Sequence, residues 1–286
     1  MDFLVALAQT RPVLGALGEN LDRHLEVAER AIRARARLVV FPELSLTGYH
    51  LRDLVPDVAL RADDRRLARL ARLSRRASIA VGAVEESDDH RFFNSAFLFE
   101  GGSLLAVHRK VYLPDYGMFE EGRHFAAGDR FEPVQSRLGR LGLLICEDLW
   151  HLSSSYLHFL RRADSLLCLA ASPGRGVTGT EGEVGTARAW NTLLEAQALA
   201  FTVHVVFCNR VGFEDGAYFW GGSKVVSPFG RVVAQAADGE ELVLGPIDGG
   251  ALRRSRMLTP LRRDEKALLT LREIERTIRV ERETPP

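Results

Sequence analysis

Cysteine is scarce in this 286-residue sequence, with Cys146, Cys168 and Cys208 the only three. So small and odd a number rules out a disulfide framework and suits a reducing cytoplasm. There is no Cys-x-x-Cys pair, and His151 and His158 lack the spacing of a helical zinc motif, so no metal site is expected. Net charge is missing too, because 38 Lys and Arg are balanced by 38 Asp and Glu. With no field of one sign, neither nucleic acid nor an anionic membrane surface is favoured as a partner. The opening stretch MDFLVALAQT carries Asp2 and no basic segment, so it reads as a first strand rather than a secretion signal. No apolar run is long enough to span a bilayer. Linkers, repeats, low-complexity stretches and Gly-rich phosphate loops are likewise absent.

What is there is 46% hydrophobic, enough for a soluble globular core. Residues 3–9, Leu38–Phe41, Ile79–Glu85, Phe92–Phe99 and Ser103–Val111 read as strands, and Glu100-Gly101-Gly102 marks a hairpin. Leu141–Ile145, Leu166–Ala170 and His204–Cys208 are continuous apolar runs, the pattern of strands buried on both faces. Ser223–Val226 and Val232–Ala236 bracket a turn, and Glu241–Leu244 adds a further strand. Leu21, Leu25, Ala28 and Ile32 form one helical stripe. Helices are also expected at Arg65–Arg76, Ser153–Arg162, Gly185–Ala200 and in the Arg/Glu-rich tail, Leu261–Glu283. Strand and helix units recur throughout, mixed with hairpins, which predicts one α/β domain with more than one sheet over residues 1–286. The segment 255–286 is left without a role.

Three residues stand where strands end. Cys146 follows Leu141–Ile145 and precedes Glu147 and Asp148, whereas Cys168 and Cys208 lie inside apolar strands and read as inert core. Glu43 follows Leu38–Phe41 within Phe41-Pro42-Glu43-Leu44. Lys110 closes the strand beginning at Ser103, in His108-Arg109-Lys110-Val111-Tyr112-Leu113-Pro114. Taken singly, the cysteine would be a buried thiol, the glutamate a loop carboxylate and the lysine a surface residue. Open α/β sheets present reactive groups at strand ends, and these three types together suit acyl transfer from an amide-like carbon. A thiol of pKa about 8.5 is mostly protonated at neutral pH. A carboxylate takes its proton as attack begins, and an ammonium stabilises the oxyanion that forms.

The ordered trio Phe-Pro-Glu, Arg-Lys-x-x-Leu-Pro and Ile-Cys-Glu-Asp resembles the nitrilase, or carbon–nitrogen hydrolase, superfamily. The resemblance runs from Ala6-Leu7-Ala8-Gln9 to at least Gly230. It includes Asn209-Arg210-Val211-Gly212, Gly221-Gly222-Ser223 and Pro228-Phe229-Gly230. It implies a four-layer α-β-β-α sandwich and no cofactor. It also implies a catalytic set of Glu43 as general base, Lys110 as oxyanion stabiliser and Cys146 as nucleophile. A second, orienting glutamate falls within Phe119–Phe125; Glu121 is chosen, with Glu120 as its rival. The N–H of Glu147 would be a further oxyanion donor. Family members commonly pair, so a homodimer or higher homo-oligomer is expected.

Leu113-Pro114-Asp115-Tyr116-Gly117, Ile145–Trp150 and Ala171-Ser172-Pro173 are similar to the glutamine-hydrolysing domain of glutamine-dependent NAD synthetases. By that likeness Tyr49, Tyr116, Glu147, Ser172 and Arg175 line the substrate pocket. Glu147 would meet a substrate α-ammonium and Arg175 a carboxylate. The chain stops where such synthetases continue into an ATP-using domain, so the expectation is a free-standing amidase, or a glutaminase that supplies ammonia to a separate synthetase. Phe219-Trp220-Gly221-Gly222-Ser223 also resembles carbamoyl- and amide-hydrolysing members. An N-carbamoyl amine hydrolase or a nitrilase therefore stays open, as does a non-catalytic scaffold on the same fold.

Overall fold

A computed structural model describes residues 2–174 and 185–283. Its first sheet contains β1 (Asp2–Gln9), β2 (Ala36–Val40), β3 (Ser78–Glu86), β4 (Phe92–Glu100) and β5 (Ser103–Arg109). Its second contains β6 (Val134–Ser136), β7 (Gly139–Ile145), β8 (Ser165–Ala170) and β9 (His204–Asn209). A small hairpin, β10 (Val211–Glu214) and β11 (Ala217–Trp220), precedes β12 (Lys224–Val226), β13 (Val232–Gln235) and β14 (Glu241–Asp248). The orders are β14-β1-β2-β3-β4-β5 and β13-β12-β9-β8-β7-β6. Each sheet has a parallel centre, β1-β2-β3 in one and β7-β8-β9 in the other, with antiparallel edges.

Strand periodicity makes the layers. Along β1, Val5 and Leu7 join the core shared with the second sheet. Ala6 and Ala8 point the other way, into a cluster with Leu17, Leu21, Ala28, Leu67 and Leu70 from the outer helices. The same alternation separates Leu38 and Val40 from Val39 and Phe41. On the far side of the second sheet, Trp190, Leu194 and Ala198 of helix Gly185–Phe201 extend the central cluster. The result is the expected sandwich, with two sheets face to face and helices outside.

Several boundaries differ from the sequence reading. The strand expected over Ser103–Val111 stops at Arg109. The helix expected over Arg65–Arg76 is a 3-10 turn followed by a helix at Ala68–Leu73. The tail helix breaks at Glu265 into Leu261–Asp264 and Ala267–Glu283, and Gly249–Leu258 forms another helix before it. The β10–β11 hairpin was not anticipated. Its signal was Asp215-Gly216, whose φ values of +47° and +80° fit the tight turn that Asp-Gly favours. No helix among the described residues is long and apolar enough to cross a membrane.

Candidate active site

Strand direction brings the chemical groups to one end. Because β3–β4 and β4–β5 are both antiparallel, β5 runs the same way as β2, so Glu43 and Lys110 leave the first sheet at the same edge. Cys146 and Ala171 leave the carboxyl ends of β7 and β8, neighbouring parallel strands of the second sheet.

Close packing shapes the loop that carries Glu43. It crosses β3 at Gly82, where a Cβ would stand 2.3 Å from Leu44 N and 2.6 Å from the Pro42 carbonyl oxygen. Only glycine admits the backbone there. Glu43 is then enclosed on all sides, with 1% of its surface exposed. Its Oε1 accepts from Lys110 Nζ at 2.7 Å and Asn94 Nδ2 at 2.8 Å. Its Oε2 accepts the Ala171 N–H at 2.7 Å, across the gap between the sheets.

Lys110 Nζ makes a second 2.7 Å contact, to Glu121 Oε1. Glu121 opens the short helix Glu121–His124 and also accepts the buried Tyr49 hydroxyl. Its neighbour Glu120 is exposed, so of the two candidates it is Glu121 that meets Lys110. Glu121 Oε2 accepts no hydrogen bond among the described residues. Burial raises the Glu121 carboxyl to about 7; Lys110 opposes this and the Glu43 charge adds to it. Burial alone would lower Lys110, but the charges of Glu121 and Glu43 outweigh it and hold the ammonium well above its usual range.

Cys146 begins the 3-10 turn Cys146–Trp150 with φ +43°, a left-handed conformation unusual for a residue with a side chain. Such a turn costs about 1–3 kcal/mol and recurs where a side chain must be aimed. The thiol is pushed well above the ordinary cysteine range, first by burial and next by the Glu43 charge, with Lys110 opposing. At rest it is therefore a thiol rather than a ready-made thiolate.

Among the pocket candidates, Tyr49 is tied to Glu121, and its N–H donates to Glu214 Oε1 at 2.8 Å. Tyr116 is exposed, and its hydroxyl donates to Glu147 Oε2 at 2.9 Å. Ser172 lies next to the Ala171 amide, and its buried hydroxyl accepts from Trp190 Nε1 at 2.7 Å and Trp220 Nε1 at 3.3 Å. Arg175 falls outside the described residues. A cavity of about 430 Å³ is lined by Tyr49, Met118, Glu121, Phe125 and Asp215 but not by Glu43, Lys110 or Cys146, so it borders the cluster on its Glu121 side. Among the described residues no group of three or more His, Cys, Asp or Glu is arranged to hold a metal ion.

Sequence reasoning missed Asn94, whose donor supports Glu43, and Asp148, whose carboxylate accepts the Ile145, Val111 and Tyr112 amides. Asn94 had a legible signal, an amide inside the apolar strand Phe92–Phe99. Asp148 had none beyond its closeness to Cys146.

Comparison with known proteins places this geometry in context. A glutamine-dependent NAD(+) synthetase from Acinetobacter baylyi is 30% identical over 247 residues, covering 86% of this chain but 44% of the synthetase. The chain thus spans less than half the length of that relative. An omega-amidase from Xenopus tropicalis is 28% identical over 257 residues, covering 87% of this chain and 90% of the relative. The structure also superposes, with a TM-score of 0.78 and 25% identity, on a mutant amidase from Nesterenkonia sp. AN1. That structure carries the acetamide moiety of fluoroacetamide on its active-site cysteine, and the match covers 94% of this chain and 96% of the amidase. The carbon–nitrogen hydrolase profile matches residues 4–257, and with the sandwich and its buried Glu–Lys–Cys cluster in view, the chain belongs to the carbon–nitrogen hydrolase family.

Proposed function

We propose that this protein is an ammonia-releasing amidase that cleaves a small non-peptide amide through a thioester on Cys146. The observation that carries the reading is Lys110, a buried ammonium 2.7 Å from both Glu43 and Glu121. An ammonium has three protons. Two are used here, and the third has no partner among the described residues, so it is free to meet an oxyanion.

The reaction follows from these groups. Glu43 removes the thiol proton of Cys146 as sulfur attacks the amide carbon. The carbonyl electron pair moves onto oxygen, where Lys110 and the Glu147 N–H receive it. As the intermediate collapses, the carbon–nitrogen bond breaks and Glu43 returns its proton to the departing ammonia. Water, deprotonated by Glu43, then attacks the thioester; the carbon–sulfur bond breaks, the carboxylic acid leaves and Glu43 returns its proton to the Cys146 sulfur. Glu121, steadied by Tyr49, keeps Lys110 in place. No cofactor enters these steps.

A glutamine-like ω-amide fits best. Glu147, held by Tyr116, would pair with a substrate α-ammonium, while Tyr49 and Ser172 shape the pocket wall and Arg175 would meet a carboxylate. The likeness to both a synthetase and an omega-amidase supports this class. We take residues 1–286 as one catalytic domain of cytoplasmic type, working as a homodimer or higher assembly. The exposed Leu268, Leu271, Ile274 and Ile278 of the tail helix support a face covered by a partner. The ammonia would pass to a separate synthetase or be released.

The test is ammonia release from glutamine, asparagine, other ω-amides, carbamoyl amines and nitriles, with Cys146→Ala alongside. Release from ω-amides that vanishes in Cys146→Ala is expected. Full turnover by Cys146→Ala would end the thioester reading, and turnover confined to nitriles or carbamoyl amines would move the substrate class.

A further inference from the structure

We propose that Asp148 is a positioning residue that locks the Lys110 and Cys146 segments into one register; this rests on the amidase reading above, in which those side chains act together. Asp148 is fully buried, two residues beyond Cys146. Its Oδ1 accepts the N–H groups of Val111 and Tyr112, both at 3.0 Å. Its Oδ2 accepts the Ile145 N–H at 3.0 Å and lies 2.9 Å from His108 Nε2. A carboxylate has only acceptors to offer, so the imidazole donates from Nε2.

The origin of these donors matters more than their number. His108, Val111 and Tyr112 flank Lys110, at the end of β5 in the first sheet. Ile145 directly precedes Cys146, at the end of β7 in the second. One side chain therefore fastens together two strand ends from opposite sheets, each beside a reacting group. Asp148 touches neither the sulfur nor the ammonium, so it acts through their backbones.

An asparagine there cannot serve both segments. If its oxygen keeps Val111 and Tyr112, its NH2 meets the Ile145 N–H, donor against donor, and His108 alone can adapt by moving its proton to Nδ1. If it turns over, the Lys110 segment is released instead. Either way Lys110 and Cys146 lose their fixed separation, and a displacement of about 1 Å at reacting groups costs about 10²-fold.

The experiment combines Asp148→Asn kinetics on the best substrate with the pH profile of Cys146 alkylation by iodoacetamide. Expected are a fall in kcat of about 10²-fold with KM nearly unchanged, and an alkylation profile moved to higher pH because the ammonium no longer faces the thiol. A residue that only braced the turn would lower Tm without moving that profile. His108→Phe, which removes one of the four donors, should move the profile the same way by less, and it serves should Asp148→Asn not fold. An unchanged alkylation profile in whichever variant folds overturns the proposal. A wild type that turns over no amide while its alkylation profile still depends on Asp148 would overturn the amidase reading and leave this one standing.

Discussion

Glu121→Gln keeps the shape of the side chain while removing its charge, and it exposes what that charge costs the fold. Glu121 is 4% exposed, so solvent screens it little. Its carboxyl stands near 7 in the folded protein against an ordinary value of 4.5, raised chiefly by burial. Between those values the folded state holds a proton that the unfolded chain has released. Stability is then complete below about pH 4.5 and declines as pH rises through 7. At 1.36 kcal/mol per unit, the gap amounts to about 3 kcal/mol by pH 8. The glutamine oxygen can still accept from Lys110 and Tyr49, and its NH2 falls where Oε2 has no partner among the described residues. Urea denaturation of both proteins at pH 5, 6, 7 and 8 reads the difference directly. The variant should lie within about 1 kcal/mol of wild type at pH 5 and exceed it by about 3 kcal/mol at pH 8, while losing turnover because Lys110 is held less firmly. Parallel stability curves, or a variant that weakens relative to wild type as pH rises, would refute the reasoning.

Other substitutions test neighbouring parts of the cluster. Lys110→Ala removes the oxyanion donor proposed above and should lower turnover by about 10²–10³-fold, measured as ammonia release from protein that still shows its native circular dichroism. Gly82→Ala places a methyl group 2.3 Å from Leu44 N. It should displace the Glu43 loop, lowering both Tm and turnover; an active variant with wild-type Tm would show that the loop does not need this close approach.

Much of the site was legible in the chain because its chemistry is local. Phe41-Pro42-Glu43 and Ile145-Cys146-Glu147 each put a reactive group just past an apolar strand, and that pattern is written in neighbouring residues. The layered fold was legible for a similar reason, since alternation along β1 and β2 already separates two faces. The choice of Glu121 over Glu120 rested on the family resemblance and not on any local pattern. Adjacent residues of one type differ only in where the helix Glu121–His124 turns them, and the ammonium that decides between them arrives from β5.

Sequence alone offered the candidates for acyl chemistry, where strands release them and the family pattern they follow, because those properties depend on residue type and short spacing. Tertiary structure alone decided that Glu43 meets the Ala171 amide across two sheets, that Lys110 bridges two carboxylates and that Asp148 joins two strand ends. These contacts link residues far apart in the chain. Their energies depend on burial and distance, which exist only once the two sheets have packed together.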